Sequence, residues 1–584
     1  MIFMDKYLRQ QIVASPLSFL RRVLLSVFLI SFSSLLLASE EAIPVVSGDD
    51  DLDLDLVSAN KSELPRLVVV ISIDQLRKDR LQEQWPGGFG RLMSEGRNYI
   101  DSTLDHGVTT TCPGHAVMLS GVQPSRAGIA GNTYISRKAW KSRYCVEDND
   151  DRTQEIGGTK NRSPRALKVD TLGDWLKSAS PESRVFSVSG KDRAAIMMGG
   201  HHPDGAFWFN ADMAIFTSSG YYMTQLPDYV SAFNGESNVA WKLPPQWIHP
   251  AGDERIDDYL GEATQFLRTS GHPLGAGDAD DVGEQIKASP YVDTLTIELA
   301  LQIIEQEQLG QDAVTDLLAI SLSAVDTVGH LYGPHSAESK ATLANIDELL
   351  LSLFNDLDDK VGAGEYLVVL SADHGVADLP EWRQASGESQ CPDTTGRIKP
   401  LRVFAGLFWN VFWQHTFPYG LPGALIKYSN SQIYINEEFI NEHELDYGEI
   451  ESYLRNQLAE VDVIKHVWTR DQLYHSQSEE ARLLRNSLVD DRSGDLFLQA
   501  YPDCIARTEG TGTTHGSLYA YDRDIPLIFS GFGVTAGAVS GPAHSVDIAP
   551  TLASLLGLTP PINLDGRILS LSPTADDVIE ADNQ

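Results

Sequence analysis

The chain has 584 residues, 42% of them hydrophobic, and a formal net charge of −36 at pH 7. The length exceeds one ordinary domain but suits a large α/β enzyme with insertions, and the apolar content is ample for a core. The charge argues against nucleic acid and anionic lipid as partners, because like charge repels, and an anionic substrate needs a local positive centre such as metal ions or a few Lys and Arg.

In chain order, the first feature is a leader. Lys6, Arg9, Arg21 and Arg22 flank the uncharged run VLLSVFLISFSSLLLA at residues 23–38. Residues 1–38 read as an export signal, cleaved near Ala38 or Ser39, or as a retained signal anchor. Leu36 is not the usual small residue before a cut, and no Cys follows the run to carry a lipid. A periplasmic or secreted location follows, with no membrane contact unless the anchor is kept. Residues 39–64, which include SGDDDLDLDLVSAN, read as a solvated acidic linker.

The catalytic domain is expected over residues 65–575, followed by an acidic tail at 576–584. Five apolar runs read as buried strands: RLVVVISID (66–74), RVFSVS (184–189), LLAISLSAVD (317–326), YLVVLSADHG (366–375) and IPLIFSG (525–531). Helical segments alternate with them, which argues for an α/β fold with a central, mostly parallel sheet sandwiched by helices. SPYVDTLTIELALQIIEQEQLG reads as a helix with Ser289 as N-cap, Pro290 in the first turn and an end at Gly310. SKATLANIDELLLSLFNDLDDKVG carries Leu343, Ile346, Leu350 and Phe354 on one face and Gly362 as C-cap. SVDIAPTLASLLGL is a further helix. Residues 391–503 break the pattern and read as a smaller α+β insertion with a β-α-β excursion. Its aromatic-rich RVFAGLFWNVFWQH is assigned to packing. No internal repeat is present.

Four cysteines, Cys112, Cys145, Cys391 and Cys504, include no CxxC pair, which argues against a structural zinc–thiolate site, and an oxidising compartment allows one or two disulfides of unspecified pairing.

Chemistry collects at the carboxyl ends of strands in a parallel sheet. Asp74 ends the first run. Asp326 ends the third, with His330 four residues on. Asp373 and His374 end the fourth, and His515 in GTTHG precedes the last. Singly, each is most simply a turn residue or cap. Together they supply the Asp/His donor chemistry of zinc and related divalent ions, in a number sufficient for two. A metal pair suits phosphoryl transfer.

The strings VVVISIDQLR, TTTCPGHAVMLSG, GIAGNTY, SGKDRAA, SAVDTVGHLYGP, SADHGV, GTTHGS and SVDIAPTLASLLGLTPPINLDGR together resemble the alkaline phosphatase superfamily, and within it the threonine-nucleophile PafA-type branch. The likeness runs in order from residue 66 to 571. It implies two zinc ions, with manganese or cobalt also compatible, one on Asp74, Asp373 and His374 and the other on Asp326, His330 and His515. It also implies that Thr111 is the nucleophile and a metal ligand, being the Thr of the T-x-P-G-H motif, two positions before Pro113 and three before Gly114-His115. Thr111 then sits at a helix N-terminus, which favours an anion. Cys112 does not match the sulfatase pattern, since Pro follows it directly, and is read as a small buried residue. By the same resemblance Asn132 is an amide donor to the phosphoryl group. Lys191 and Arg193, read as an extended K-x-R, neutralise the two charges of a monoester and are lacking in the nucleotide pyrophosphatase/phosphodiesterase branch. The expected function is an exported alkaline phosphatase acting on small phosphate monoesters through a phosphothreonine. The rival on the same core is a phosphodiesterase, nucleotide pyrophosphatase or phosphonate hydrolase. A phosphoglycerate mutase relative is disfavoured by the leader, and an acidic binding protein with a dead core by the intact Thr111 and its six metal-ligand candidates. Physiological substrate, disulfide pairing and oligomeric state are not specified by the sequence.

Overall fold

Alternation along one strand sets the layers. In the strand Leu67–Ile73, Leu67, Val69, Ile71 and Ile73 enter one apolar cluster, and Val68 and Val70 enter another on the opposite face. A strand buried on both faces needs cover on both sides, and each fully buried side chain of this size contributes about 1.5–3 kcal/mol relative to exposure. The computed structural model describes residues 64–573, apart from 83, 237–242, 249–270, 276, 278, 399, 418, 421–422 and 508–510. The leader, the linker up to residue 63 and the acidic tail lie outside the described residues.

The strands used below are β1 (Leu67–Ile73), β2 (Arg97–Thr103), β3 (Thr133–Ser136), β4 (Lys141–Tyr144), β5 (Val185–Ser189), β6 (Gly205–Asn210), β7 (Ile215–Thr217), β8 (Asp316–Leu322), β9 (Tyr366–Ser371), β10 (Ile426–Ser429), β11 (Gln432–Ile435), β12 (Ile464–Thr469), β13 (Leu496–Ala500), β14 (Leu527–Gly531) and β15 (Gly537–His544). Nine form the central sheet, in the order β15-β2-β14-β9-β1-β8-β5-β6-β7. The run β9-β1-β8-β5-β6 is parallel. β14, expected among the parallel strands, instead pairs antiparallel with β9 and with β2, and β7 pairs antiparallel with β6. An apolar run specifies burial on two faces but not strand direction.

The helices used below are α1 (Thr111–Ser120), α2 (Asp192–Gly199), α3 (Tyr291–Gln306), α4 (Ala324–Tyr332), α5 (Ala337–Leu357), α6 (Pro400–Val411), α7 (Tyr447–Ala459) and α8 (Ile548–Leu555). α3 and α5 cover one face of the sheet with Ile297, Ile303, Leu343, Ile346, Leu350 and Phe354, so the expected α5 stripe is buried. α1 and α8 cover the other with Met118, Leu119, Ile548 and Leu552. The N-cap of α3 is Pro290 rather than Ser289, and β8 stops at Leu322 rather than running to Asp326.

Between residues 391 and 506 a second, four-stranded antiparallel sheet in the order β10-β11-β13-β12 packs with α7 around its own apolar cluster. The aromatic segment assigned to packing divides: Phe404 and Val411 are buried, whereas Trp409, Trp413 and Phe417 are 56%, 49% and 50% exposed. All four cysteines are paired, Cys112 with Cys145 and Cys391 with Cys504. Cys112 is thus buried, as read, but as half of a disulfide. No helix among the described residues is long and apolar enough to cross a membrane.

Candidate active site

Parallel register aligns the strand ends. Ser72 of β1 lies opposite Ser321 of β8 and Ser371 of β9, and Ser321 lies opposite Ser189 of β5. Four neighbouring strands therefore release their chains at one edge. Asp74 follows β1, Asp373 and His374 follow β9, and Lys191 follows β5. Asp326 lies in the first turn of α4, just beyond β8, with His330 one turn later on the same helix face. His515 comes from the loop before β14.

These side chains form two groups whose ligand atoms lie within 4.8 Å of one another: Asp74 with Asp373 and His374, and Asp326 with His330 and His515. His374 Nε2 is 3.2 Å from Asp373 Oδ2 and 3.5 Å from Asp74 Oδ1. His330 Nε2 and His515 Nε2 are 3.2 and 3.5 Å from Asp326 Oδ1. The His374 and His515 rings stack at 3.6 Å, which brings the groups side by side.

The donor set fits divalent metal. Each imidazole turns Nδ1 toward a backbone carbonyl, His330 to Thr513 at 2.8 Å, His374 to Gly375 at 2.9 Å and His515 to Thr109 at 2.7 Å. An Nδ1–H donated outward leaves the Nε2 lone pair directed inward. Asp74 Oδ1, Asp373 Oδ2 and His374 Nε2 are buried without a hydrogen bond. Burial of such atoms is costly unless a cation claims them. Burial, with Asp326 and Asp373 alongside, raises the Asp74 carboxyl pKa, and burial lowers that of His374 to about 3, so this imidazole is neutral.

Lys191 Nζ lies 2.5 Å from Asp74 Oδ2 and 2.5 Å from Asp326 Oδ2, spanning the two groups. Burial works against its charge, but Asp326 and Asp74 outweigh that and raise its pKa. Lys191 is extended, while Arg193 lies in the first turn of α2. The expected extended K-x-R is therefore a strand-to-helix turn, and the two cations take different targets. Arg193 donates one arm to Thr111 Oγ1 at 3.3 Å and the other to the Tyr144 hydroxyl at 3.3 Å.

Thr111 opens α1 with Thr110 as N-cap and is 1% exposed. Thr109 is occupied otherwise, its hydroxyl on Ser517 and its carbonyl on His515. The first turn of α1 sits against Asp373, and Gly114 permits this: a Cβ there would be 2.2 Å from the Asp373 carbonyl oxygen. Asn132 Oδ1 accepts the Cys112 N–H at 2.8 Å, which ties the Asn132 amide to the same helix N-terminus.

All ten sequence-derived positions, Asp74, Thr111, Asn132, Lys191, Arg193, Asp326, His330, Asp373, His374 and His515, thus meet at one edge of the sheet. Three neighbours were not anticipated. Gln75, with φ 73°, donates its backbone N–H to Asp373 at 3.1 Å and its side-chain amide to Asp326 at 2.7 Å, linking the groups. His115 places Nδ1 2.9 Å from the Thr111 carbonyl and 3.2 Å from Asp373 Oδ2, and Nε2 2.8 Å from Ser321. Tyr144 bridges Arg193 and Asp192. Adjacency to Asp74 and to the T-x-P motif was the only sequence signal for Gln75 and His115. Tyr144 had none.

The model for the family described as Type I phosphodiesterase / nucleotide pyrophosphatase matches residues 68–518. The chain is 32% identical over 529 residues to alkaline phosphatase PafA of Elizabethkingia meningoseptica, covering 86% of this chain and 93% of that one. It is also 32% identical over 525 residues to a Myroides odoratus protein named calcium-transporting ATPase, with the same coverages. The crystal structure of wild-type PafA aligns with a TM-score of 0.77 at 30% identity, covering 87% of this chain and 99% of that one.

Proposed function

Because the chain belongs to the Type I phosphodiesterase / nucleotide pyrophosphatase family of the alkaline phosphatase superfamily, we propose that it is an exported alkaline phosphatase. In this reading it hydrolyses small phosphate monoesters through a phosphothreonine at Thr111, with zinc on each Asp/His group. The two disulfides and the basic-then-apolar leader support export. The single observation that carries the monoester reading is the pair of cations from one turn, with Arg193 on the Thr111 hydroxyl and Lys191 between the two groups. A monoester presents more charge on its non-bridging oxygens than a diester, and these cations answer it.

Bound at Asp74, Asp373 and His374 and at Asp326, His330 and His515, the ions supply Lewis-acid stabilisation of oxygen charge. The chain's own groups do the rest. Arg193 and the Asn132 amide hold phosphoryl oxygens, Arg193 as a planar fork and Lys191 as a compact charge. The Thr111 hydroxyl gives its proton to water and Oγ1 attacks phosphorus, forming the Thr–O–P bond as the bond to the leaving oxygen breaks. The leaving alkoxide takes a proton from water. A second water then attacks phosphorus, releasing phosphate and returning the proton to Thr111 Oγ1. The α1 N-terminus favours the anion throughout. Positioning and charge stabilisation dominate such chemistry.

The test compares a monoester and a diester with one leaving group on metal-quantified protein, for wild type, Thr111→Ala and the Lys191→Ala/Arg193→Ala double variant. Monoester preference lost in both variants supports the reading. Diester preference in wild type, indifferent to the double variant, assigns the chain to the phosphodiesterase side of its family.

A further inference from the structure

Cys112 directly follows Thr111, and its disulfide partner Cys145 directly follows Tyr144. The bond thus joins the neighbour of the proposed nucleophile to the neighbour of the residue that holds Arg193. Two hydrogen bonds complete a closed ring. The Cys145 N–H donates to the Asn132 carbonyl at 2.9 Å, and the Cys112 N–H donates to Asn132 Oδ1 at 2.8 Å. With Oδ1 held by α1, the Asn132 NH2 is the part of that amide left for an acceptor.

The hairpin carrying these groups is small. Among the described residues β3 and β4 form a sheet of their own, over four residue pairs, and the turn end of the hairpin is held to the insertion by Trp140 Nε1 on the Gly423 carbonyl and Arg137 on Asp495, both at 2.8 Å, which leaves the disulfide to tie the end next to Thr111. Its end nonetheless fixes the guanidinium. The Tyr144 hydroxyl accepts from Arg193 and donates to Asp192 Oδ1 at 2.6 Å. Arg162 Nε donates to Asp192 Oδ2 at 2.6 Å and lies over the Tyr144 ring at 5.0 Å. Cys112 and Cys145 are buried with Ala116, Ile196, Met197 and Trp208, so the disulfide also pins the hairpin to α1 and α2 together.

We propose that the Cys112–Cys145 disulfide is a positioning element for the phosphoryl group: it locks the β3–β4 hairpin so that the Asn132 amide and, through Tyr144, the Arg193 guanidinium converge on Thr111. This rests on the roles proposed above for Thr111, Asn132 and Arg193. Cys391–Cys504 joins other segments and serves as the control for a disulfide without that geometry.

The experiment is a variant cycle on metal-quantified full chain, reading kcat/KM for a monoester, Kd for inorganic phosphate, and Tm. Removing the disulfide as Cys112→Ala/Cys145→Ala lowers kcat/KM about 10- to 100-fold, the scale of a small misplacement of a catalytic group. In an Asn132→Ala/Arg193→Ala background the same removal costs no more than about 2-fold, because coupled residues are not additive. Cys391→Ala/Cys504→Ala lowers Tm but leaves kcat/KM within about 2-fold by the same argument. Equal losses in both backgrounds, or no loss in the wild-type background, overturn the proposal. If the Cys112 and Cys145 variant does not fold, Tyr144→Phe with the disulfide intact carries the test. Its loss disappears in an Arg193→Ala background, and an additive loss there overturns the proposal. A wild type inactive on both esters refutes the phosphatase reading alone. The cycle is then read in Kd for inorganic phosphate, where additive losses overturn the positioning role.

Discussion

Gln75 donates its side-chain amide to Asp326 Oδ1 at 2.7 Å from a left-handed backbone conformation at φ 73°, one residue after Asp74. With its N–H on Asp373, it orients one carboxylate of each Asp/His group. Gly329, between Asp326 and His330, makes room for it: a Cβ there would lie 2.0 Å from Gln75 Oε1. Partners that orient ligands typically cost 10–100-fold in metal affinity or activity when removed, so Gln75→Ala is expected to weaken metal binding by about 10-fold or more. Competition against a chelator, followed by metal analysis, measures this. Unchanged retention would show Gln75 to be packing only.

Thr111→Ala, which removes the proposed nucleophile, is expected to lower kcat on the monoester by about 10³-fold or more while the protein stays folded, because a nucleophile acts as one unit with its surroundings. Thr111→Ser keeps the hydroxyl and is expected to retain most of the rate. Burst kinetics and intact-protein mass after acid quench read the phosphorylated species in wild type and its loss in the alanine variant.

Gly114→Ala forces a Cβ to within 2.2 Å of the Asp373 carbonyl oxygen, so α1 must move away from Asp373. Overpacking of this kind costs about 1–3 kcal/mol. A lower Tm together with lower kcat/KM is expected. A stable variant with full activity would mean that α1 and the Asp373 turn tolerate separation.

Metal removal is expected to lower both activity and Tm, with zinc restoring both. A ligand bound only by the folded state stabilises it, by about 2.7 kcal/mol at a hundredfold excess over Kd. Thermal melts before and after chelation, with zinc, manganese and cobalt added back in turn, test dependence and identity together.

His106, which belongs to neither Asp/His group, gives a further pH signature. It is fully buried, and burial lowers its pKa from 6.5 to about 4, with Asp105 and Asp373 opposing and Arg523 assisting. Below pH 6.5 the unfolded chain binds the proton first, so stability falls as pH drops from 6.5 toward 4, by about 3 kcal/mol for this one group. His106→Leu removes that component. The difference between the urea-unfolding free energies of variant and wild type, taken at pH 7 and at pH 4.5, should shrink or change sign at the lower pH.

The amino-acid sequence alone determined the layered α/β plan, because continuous apolar runs such as Leu67–Ile73 have no other way to bury both faces. It also placed Asp74, Asp326, Asp373 and His374 at one edge, since parallel strands all end there, and Pro113, suited to a first helical turn, set Thr111 at a helix start. Only the tertiary structure decided matters of direction and distance. β14 runs antiparallel, Arg193 reaches Thr111 from a helix rather than a strand, and Gln75 faces two carboxylates at sequence separations of 251 and 298 residues. Cys112 found Cys145 rather than Cys391 or Cys504 because α1 and the end of the hairpin share one buried cluster. Periodicity and turn chemistry act over a few residues and are written locally. Pairing across the chain depends on which surfaces pack together, and that is settled only when the sheet and its helices close.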